Sequence, residues 1–363
     1  MFGWVSFDFH NDYFPQLKVL SLADIDGDYG CIEYCEVKNN VRELHEAEHL
    51  FECFGEIIAY GKFFKIADGH CDNIIVNGSK IVWIDLETAF HFFQDKIEGV
   101  HKLEETGLLV NAKPENMSLG IVTALQGGII PRIALTSPTV IEDGTENMRL
   151  RYFSLINPIC YSNRIYLHKN PCLPENFIKC IQSGFENKLR RLVKRKNQII
   201  DFVKERFEKE MIVSRYLFQV TASYERHLKM LNHIISQRKG NILHQIRKER
   251  EMTLSEKEKK FSSFILGSEI SDLCNGVIPY FYRNNESKSI YNSCGDSREN
   301  FFSSYLMEEI SQHLESASLH DLESDLLFIS QAIESTSNIR GWEDFVKKFN
   351  FPLYGYVASE RAC

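Results

Sequence analysis

The chain has 363 residues, enough for two domains or one large one. Apolar residues make up 44% and charged residues 25%, an ordinary globular balance, and the net charge of −8 argues against a dedicated nucleic-acid binder. No apolar run approaches the roughly 20 residues that span a bilayer, and the N-terminus has no basic flank or signal core, so a cytoplasmic protein without a membrane span is expected.

Residues 1–40 read as strand-like and irregular, with alternation at 17–22 and again at 31–37. Residues 43–66 read as a helix, because Leu50, Phe54, Ile57, Ile58 and Gly61 share one face. His45 and His49 stand four apart on it, a spacing able to bind zinc, but a solvated charged face explains them better. The ten cysteines form no C-x-x-C and are read as small buried hydrophobes. Residues 103–110 look like a helix end stopped by Gly107. The spacing predicts one long helix over 174–210, whose basic run from Lys188 to Lys196 is a solvated face or meets an anionic substrate. A second helical stretch is expected at 212–232, a mixed-charge exposed one at 238–260, a polar loop at 284–299 and a final helical region at 305–335.

The densest chemistry lies at 67–90, A-D-G-H-C-D-N-I-I-V-N-G-S-K-I-V-W-I-D-L-E-T-A-F. Asn77-Gly78 is a preferred type I′ hairpin pair, since both positions need positive φ. The hairpin would return Asp85 and Glu87 beside the loop holding Asp68 and Asn73. That layout suits phosphoryl transfer. Asp68 would accept a hydroxyl proton, and Asn73 and Asp85 would hold magnesium on the phosphates of ATP. A polar hairpin with turn-forming Asp and Asn is the alternative. No glycine-rich phosphate loop occurs anywhere.

Taken in order, the motifs resemble the dehydratase domain of class II, LanM-type lanthipeptide synthetases, from about residue 19 to residue 332. D-Y-G-C-I-E-Y at 28–34 is similar to the family's Y-G-W-x-E-F strand. D-G-H-C-D-N and I-D-L-E-T resemble its D-x-H-x-x-N and D-L-E-T. E-T-G-L-L at 105–109 is similar to its T-G-L-L. Arg215 and Thr221 keep the spacing of its R-x-x-x-R-x-T, with Gln219 at the second Arg. Residues 269–281 follow its E-x-x-x-L-x-x-G-D-I-P-Y-F, with Val277 at the Asp.

The resemblance implies an α+β, kinase-like fold. It divides the chain into an N-lobe remnant at 1–42, a catalytic core at 43–160 and a helical C-lobe with elimination elements at 161–363. It implies lantibiotic biosynthesis: ATP and magnesium phosphorylate Ser or Thr of a ribosomally made precursor peptide, and the phosphate is then eliminated to dehydroalanine or dehydrobutyrine. Asp68 would activate the hydroxyl and His70 support it. Asn73 and Asp85 would hold the metal and Glu87 order that site. Arg215 and Thr221 would bind the phosphoester and assist its departure. The family's V-Y-K-P lysine strand and its C-H-G cyclase motif have no counterpart here. A truncated chain is therefore expected, with weak ATP binding alone, no cyclisation, and a separate lobe or cyclase protein as partner. A kinase without elimination and an inactive remnant are the competing readings.

Overall fold

The structure, a computed structural model, describes residues 19–20, 31–32, 34–67, 69, 73–84, 86, 88–92, 102–109, 132–133, 137–141, 149–153, 156–157, 163–209, 211, 213–219, 221–232 and 239–338. Helix α1 (Leu44–Phe63) forms on the predicted apolar stripe. At its start the Glu46 carboxylate accepts from the N–H groups of Arg42 and Glu43, at 2.6 and 3.0 Å. These are donors that the first turn leaves without intrahelical partners. The helix stops at Phe63, where Lys65 turns left-handed (φ 48°) and the Ile66 N–H bonds the Gly61 carbonyl at 3.0 Å, a Schellman-type end.

The hairpin of β1 (Ile74–Asn77) and β2 (Lys80–Trp83) follows. Asn77 pairs with Lys80, so the loop is Gly78-Ser79, one residue later than the Asn77-Gly78 turn predicted. Gly78 takes φ 63° at the first loop position, the glycine position of a II′ turn. Asn77 is drawn out of the turn because its amide donates to the Glu36 carbonyl at 2.9 Å. Lys38 also brackets the strand, donating to Val76 and accepting from Gly78, both at 2.8 Å.

Residues 174–210 do not make the single predicted helix. A 3-10 turn (Pro174–Phe177) leads into α2 (Ile178–Lys194), the chain breaks at Arg195, and α3 (Lys196–Lys209) sends Ile199 and Val203 into the core. Helix α2 crosses α1 at two glycines. A Cβ on Gly55 would stand 1.9 Å from the Ile181 carbonyl oxygen, and one on Gly184 2.0 Å from that of Glu52. The basic run is not wholly solvated. Lys188 is buried, paired with Glu56 at 2.8 Å and donating to the Tyr60 hydroxyl at 3.1 Å.

The stretch 212–232 is a strand and a helix, β3 (Val213–Tyr216) and α4 (Thr221–Asn232), rather than one helix. Helices α5 (Lys239–Thr253) and α6 (Ser262–Cys274) pack with α4 around Tyr224, Leu231, Ile246 and Leu273. Strands β4 (Phe281–Asn284), β5 (Ile290–Asn292) and β6 (Ser297–Arg298) complete an antiparallel sheet of order β3-β4-β5-β6. Two of these strands occupy the segment predicted as a polar loop. One face of the sheet covers a small aromatic core that includes Tyr216, Phe264, Phe281 and Phe301. Helices α7 (Leu306–Ser316) and α8 (Leu322–Asn338) return to the main core. That core runs from Val41 through α1 and the hairpin to Ile333, crossing the boundary placed at residue 160. No helix among the described residues is long and apolar enough to cross a membrane.

Candidate functional site

The site is built on the turn that ends α1. Beyond Phe64 the chain meets the segment that leaves the hairpin. The Phe90 N–H bonds the Phe64 carbonyl at 2.9 Å, and the His91 N–H bonds that of Lys65 at 3.0 Å. The buried Thr88 hydroxyl donates to the Ala67 carbonyl at 2.7 Å. At the hairpin's open end the Ile84 N–H bonds the Asn73 carbonyl at 2.8 Å. Two hydrogen bonds thus tie the stretch 67–73 to the stretch 84–88. Asp68, His70, Asp85 and Glu87 themselves lie outside the described residues. Asn73 is described and is buried at 7% exposure.

Gly69 explains why that loop needs a glycine. Its N–H donates to the Thr106 carbonyl at 2.7 Å, and a Cβ would meet the same oxygen at 2.6 Å and the Leu108 side chain at 2.7 Å. The T-G-L-L segment is therefore packed on the residue between Asp68 and His70. It is shaped by a 3-10 turn (Glu104–Thr106) that Gly107 ends at φ 72°, the stop expected at that position.

Arg215 comes to this place from 124 residues away. Ser214 donates its hydroxyl to the Ala89 carbonyl at 2.9 Å, and His91 Nδ1 lies 3.4 Å from the Arg215 carbonyl oxygen. The His91 ring also packs on Tyr216, with centroids 5.5 Å apart. Burial holds the His91 imidazole down at about 4, helped by the Lys65, Arg283 and Arg215 charges, so it is neutral near pH 7. The Arg215 guanidinium lies over the Tyr280 ring, 5.4 Å from its centroid. Thr221 is the first residue of α4, and its side chain lies outside the described residues.

Sequence reading missed the polar cluster beneath this segment. Glu269, only 2% exposed, accepts from Tyr224 Oη at 2.6 Å and from Arg250 Nε at 3.1 Å. Burial pushes its carboxyl up, and the Arg250 guanidinium opposes that. Burial beside Glu269 raises the Tyr224 phenol well above its ordinary value, so it remains a donor. The available signal was Glu269 at the head of the motif ending in I-P-Y-F.

A cleft of about 240 Å³ opens beside Ala67 and His91, lined by Lys62, Lys65, Lys102 and His313. Its ammonium groups are matched: Lys62 with Asp325, Lys65 with Glu105 at 2.6 Å and Lys102 with Asp321 at 2.9 Å. It is small for a nucleotide, given the roughly 300–1,000 Å³ usual for ligand pockets. No group of three or more His, Cys, Asp or Glu among the described residues is arranged to hold a metal, and His45 and His49 belong to none.

The family model of a domain of unknown function, DUF4135, matches residues 4–284. The lacticin 481/lactococcin biosynthesis protein LcnDR2 of Lactococcus lactis subsp. lactis is 25% identical over 284 residues. That match covers 74% of this chain and 29% of the relative, so the chain spans less than a third of that protein's length. With most of its length under the family model, and its ordered motifs like those of LanM-type synthetases, the chain belongs to the DUF4135 family as a LanM-related region.

Proposed function

We propose that the chain acts in lanthipeptide biosynthesis as a dehydratase, on a kinase-like scaffold. It would phosphorylate Ser or Thr of a precursor peptide and then eliminate the phosphate. The single observation that carries this reading is the docking of the Arg215 strand on Ala89–His91, directly after D-L-E-T. That docking brings the backbone of the Arg215 strand to the segment that follows the residues proposed for phosphoryl transfer, and elimination, unlike plain transfer, calls for a cation on the departing phosphate.

The donor set suits a hard cation. Asn73 offers an amide oxygen and Asp85 a carboxylate, both ligand types that magnesium takes. Magnesium ATP supplies the γ-phosphoryl group when bound. Asp68 accepts the proton of the peptide hydroxyl, with His70 in support, and Glu87 orders the metal ligands. In the second reaction a general base takes the Cα proton, the electron pair of that C–H bond forms the Cα=Cβ bond, and the Cβ–O bond breaks with its electrons leaving on phosphate. Arg215, with Thr221, holds the phosphate oxygens and neutralises the charge that builds as they leave. The Tyr280 ring under the guanidinium helps to hold it in one place, which favours preorganised stabilisation over capture from solvent.

The test is incubation of the chain with magnesium ATP and a Ser/Thr-containing precursor peptide, followed by mass spectrometry. The expected product is lighter than the substrate by one water per modified residue. A product that stops one phosphoryl group heavier would leave a kinase without elimination. An unmodified peptide, under conditions where an intact relative dehydrates it, would overturn the reading for this chain.

A further inference from the structure

The sheet that carries Arg215 has one buried face and one open face. Ser214, Tyr216, Phe281, Arg283, Ile290 and Asn292 point into the protein and are all buried. Arg215, Tyr282 and Tyr291, which alternate with these, point the other way and are half-exposed. Arg215 is paired directly with Tyr282, and Tyr282 with Tyr291, so these three stand side by side on that face. Tyr280, two residues before Tyr282, completes the group. Its ring lies under the Arg215 guanidinium and 6.0 Å from the Tyr282 ring. Tyr282 and Tyr291 are stacked, 5.1 Å apart and 13° from parallel. The result is a row of phenol rings with a cation at one end.

We propose that this face is a track for the polypeptide on one side of the phosphorylated residue, laid across β3, β4 and β5 from Arg215 to Tyr291. The proposal rests on the elimination role of Arg215. Three features single out a phosphopeptide. The guanidinium matches a phosphate in charge and in its paired N–H geometry. Half-exposed phenols give apolar ring faces with hydroxyls at their edges, a surface that holds varied side chains at little entropic cost. The row also has the right length. Two strand spacings are roughly 9.5 Å, the reach of about three extended residues. The track would therefore sense residues up to about three from the phosphorylated one, on one side only.

The experiment measures binding of fluorescent peptides that carry one phosphoserine. The flank on one side, then on the other, is none, about three or about six residues long. For the parent chain, affinity should rise roughly three- to tenfold as one flank reaches three residues and then level off, while the other flank has a smaller effect. In Tyr282→Ala and in Tyr291→Ala that rise should disappear, and in Tyr282→Phe and Tyr291→Phe it should persist. Urea midpoints identify variants that fail to fold. If Tyr282→Ala is one of them, Tyr291→Ala and the parent series decide. The track is wrong if affinity does not depend on flank length, if the rise survives both alanine variants, or if a single-stranded oligonucleotide binds more tightly than any phosphopeptide. Loss of the elimination reading is separate. A chain that releases no phosphate from any of these peptides can still show the flank dependence, and one that does release it can still lack that dependence.

Discussion

Glu269 shows how one side chain sets the local chemistry. It is buried with Arg250 and Tyr224 as its donors. Removing it leaves a guanidinium without its counter-charge inside the protein, a change that costs about 3–5 kcal/mol. Glu269→Ala should therefore lower the unfolding free energy by that order in a urea titration. Glu269→Gln, which keeps an acceptor oxygen, should cost less. Equal stability of Glu269→Ala and the parent would show that Arg250 finds another partner. His91 carries a pH signature. Folding holds it at about 4 against an ordinary 6.5, so between these values the unfolded chain binds a proton that the folded chain refuses. Its contribution is complete above pH 6.5 and is lost as pH falls toward 4, at no more than about 1.4 kcal/mol per pH unit. Urea midpoints of the parent and His91→Asn, compared at about pH 7.5 and 5.5, isolate this part. The parent should lose more stability than the variant on acidification, and matched losses would contradict the burial account.

Among the elements, the α1–α2 crossing is the most exacting. Gly55 and Gly184 let backbone approach backbone, and a Cβ at either would meet a carbonyl oxygen at about 2 Å. Overpacking of this kind costs roughly 1–3 kcal/mol or more, because neither helix can retreat without opening the core. Gly184→Ala should sharply lower the thermal midpoint, whereas Gly240→Ala, which meets nothing within 4 Å, should not. A Gly184→Ala protein as stable as the parent would mean that the helices cross elsewhere. Helix α1 was legible because its core face repeats at helical spacing. Strand β3 was not, and was read as helix. Its ladder partner begins at Phe281, far along the chain, so what fixes it is a non-local pairing that no local pattern records. The strands β5 and β6 pair with close neighbours in the chain, but with three and two residues they are too short to show an alternating pattern. The basic run misled in part because Lys188 lies against Glu56 and Tyr60 on the facing helix, which spacing alone does not reveal.

At the scale of the whole molecule, the sheet that bears Arg215 is joined to the main core at several places. The main core holds α1, the hairpin and the last helices, and the smaller core backs the sheet that bears Arg215. The seam that matters for the proposed chemistry is the contact of Ser214 and the Arg215 backbone with Ala89 and His91. The motifs on either side were legible as ordered strings of Asp, Asn, Glu and Arg, because such residues in such order are uncommon. Their meeting was not, since it depends on a strand docking across 124 residues. In the proposed function, this seam lets one site both add and remove phosphate. The most direct test supplies a phosphoserine peptide, so that no transfer from ATP is needed, and measures phosphate release and the dehydroalanine left behind. The parent chain should release phosphate, and a folded Arg215→Ala variant should release little or none, while any phosphorylation of an unmodified peptide persists. Release by Arg215→Ala at the parent's rate would mean that Arg215 has no part in elimination.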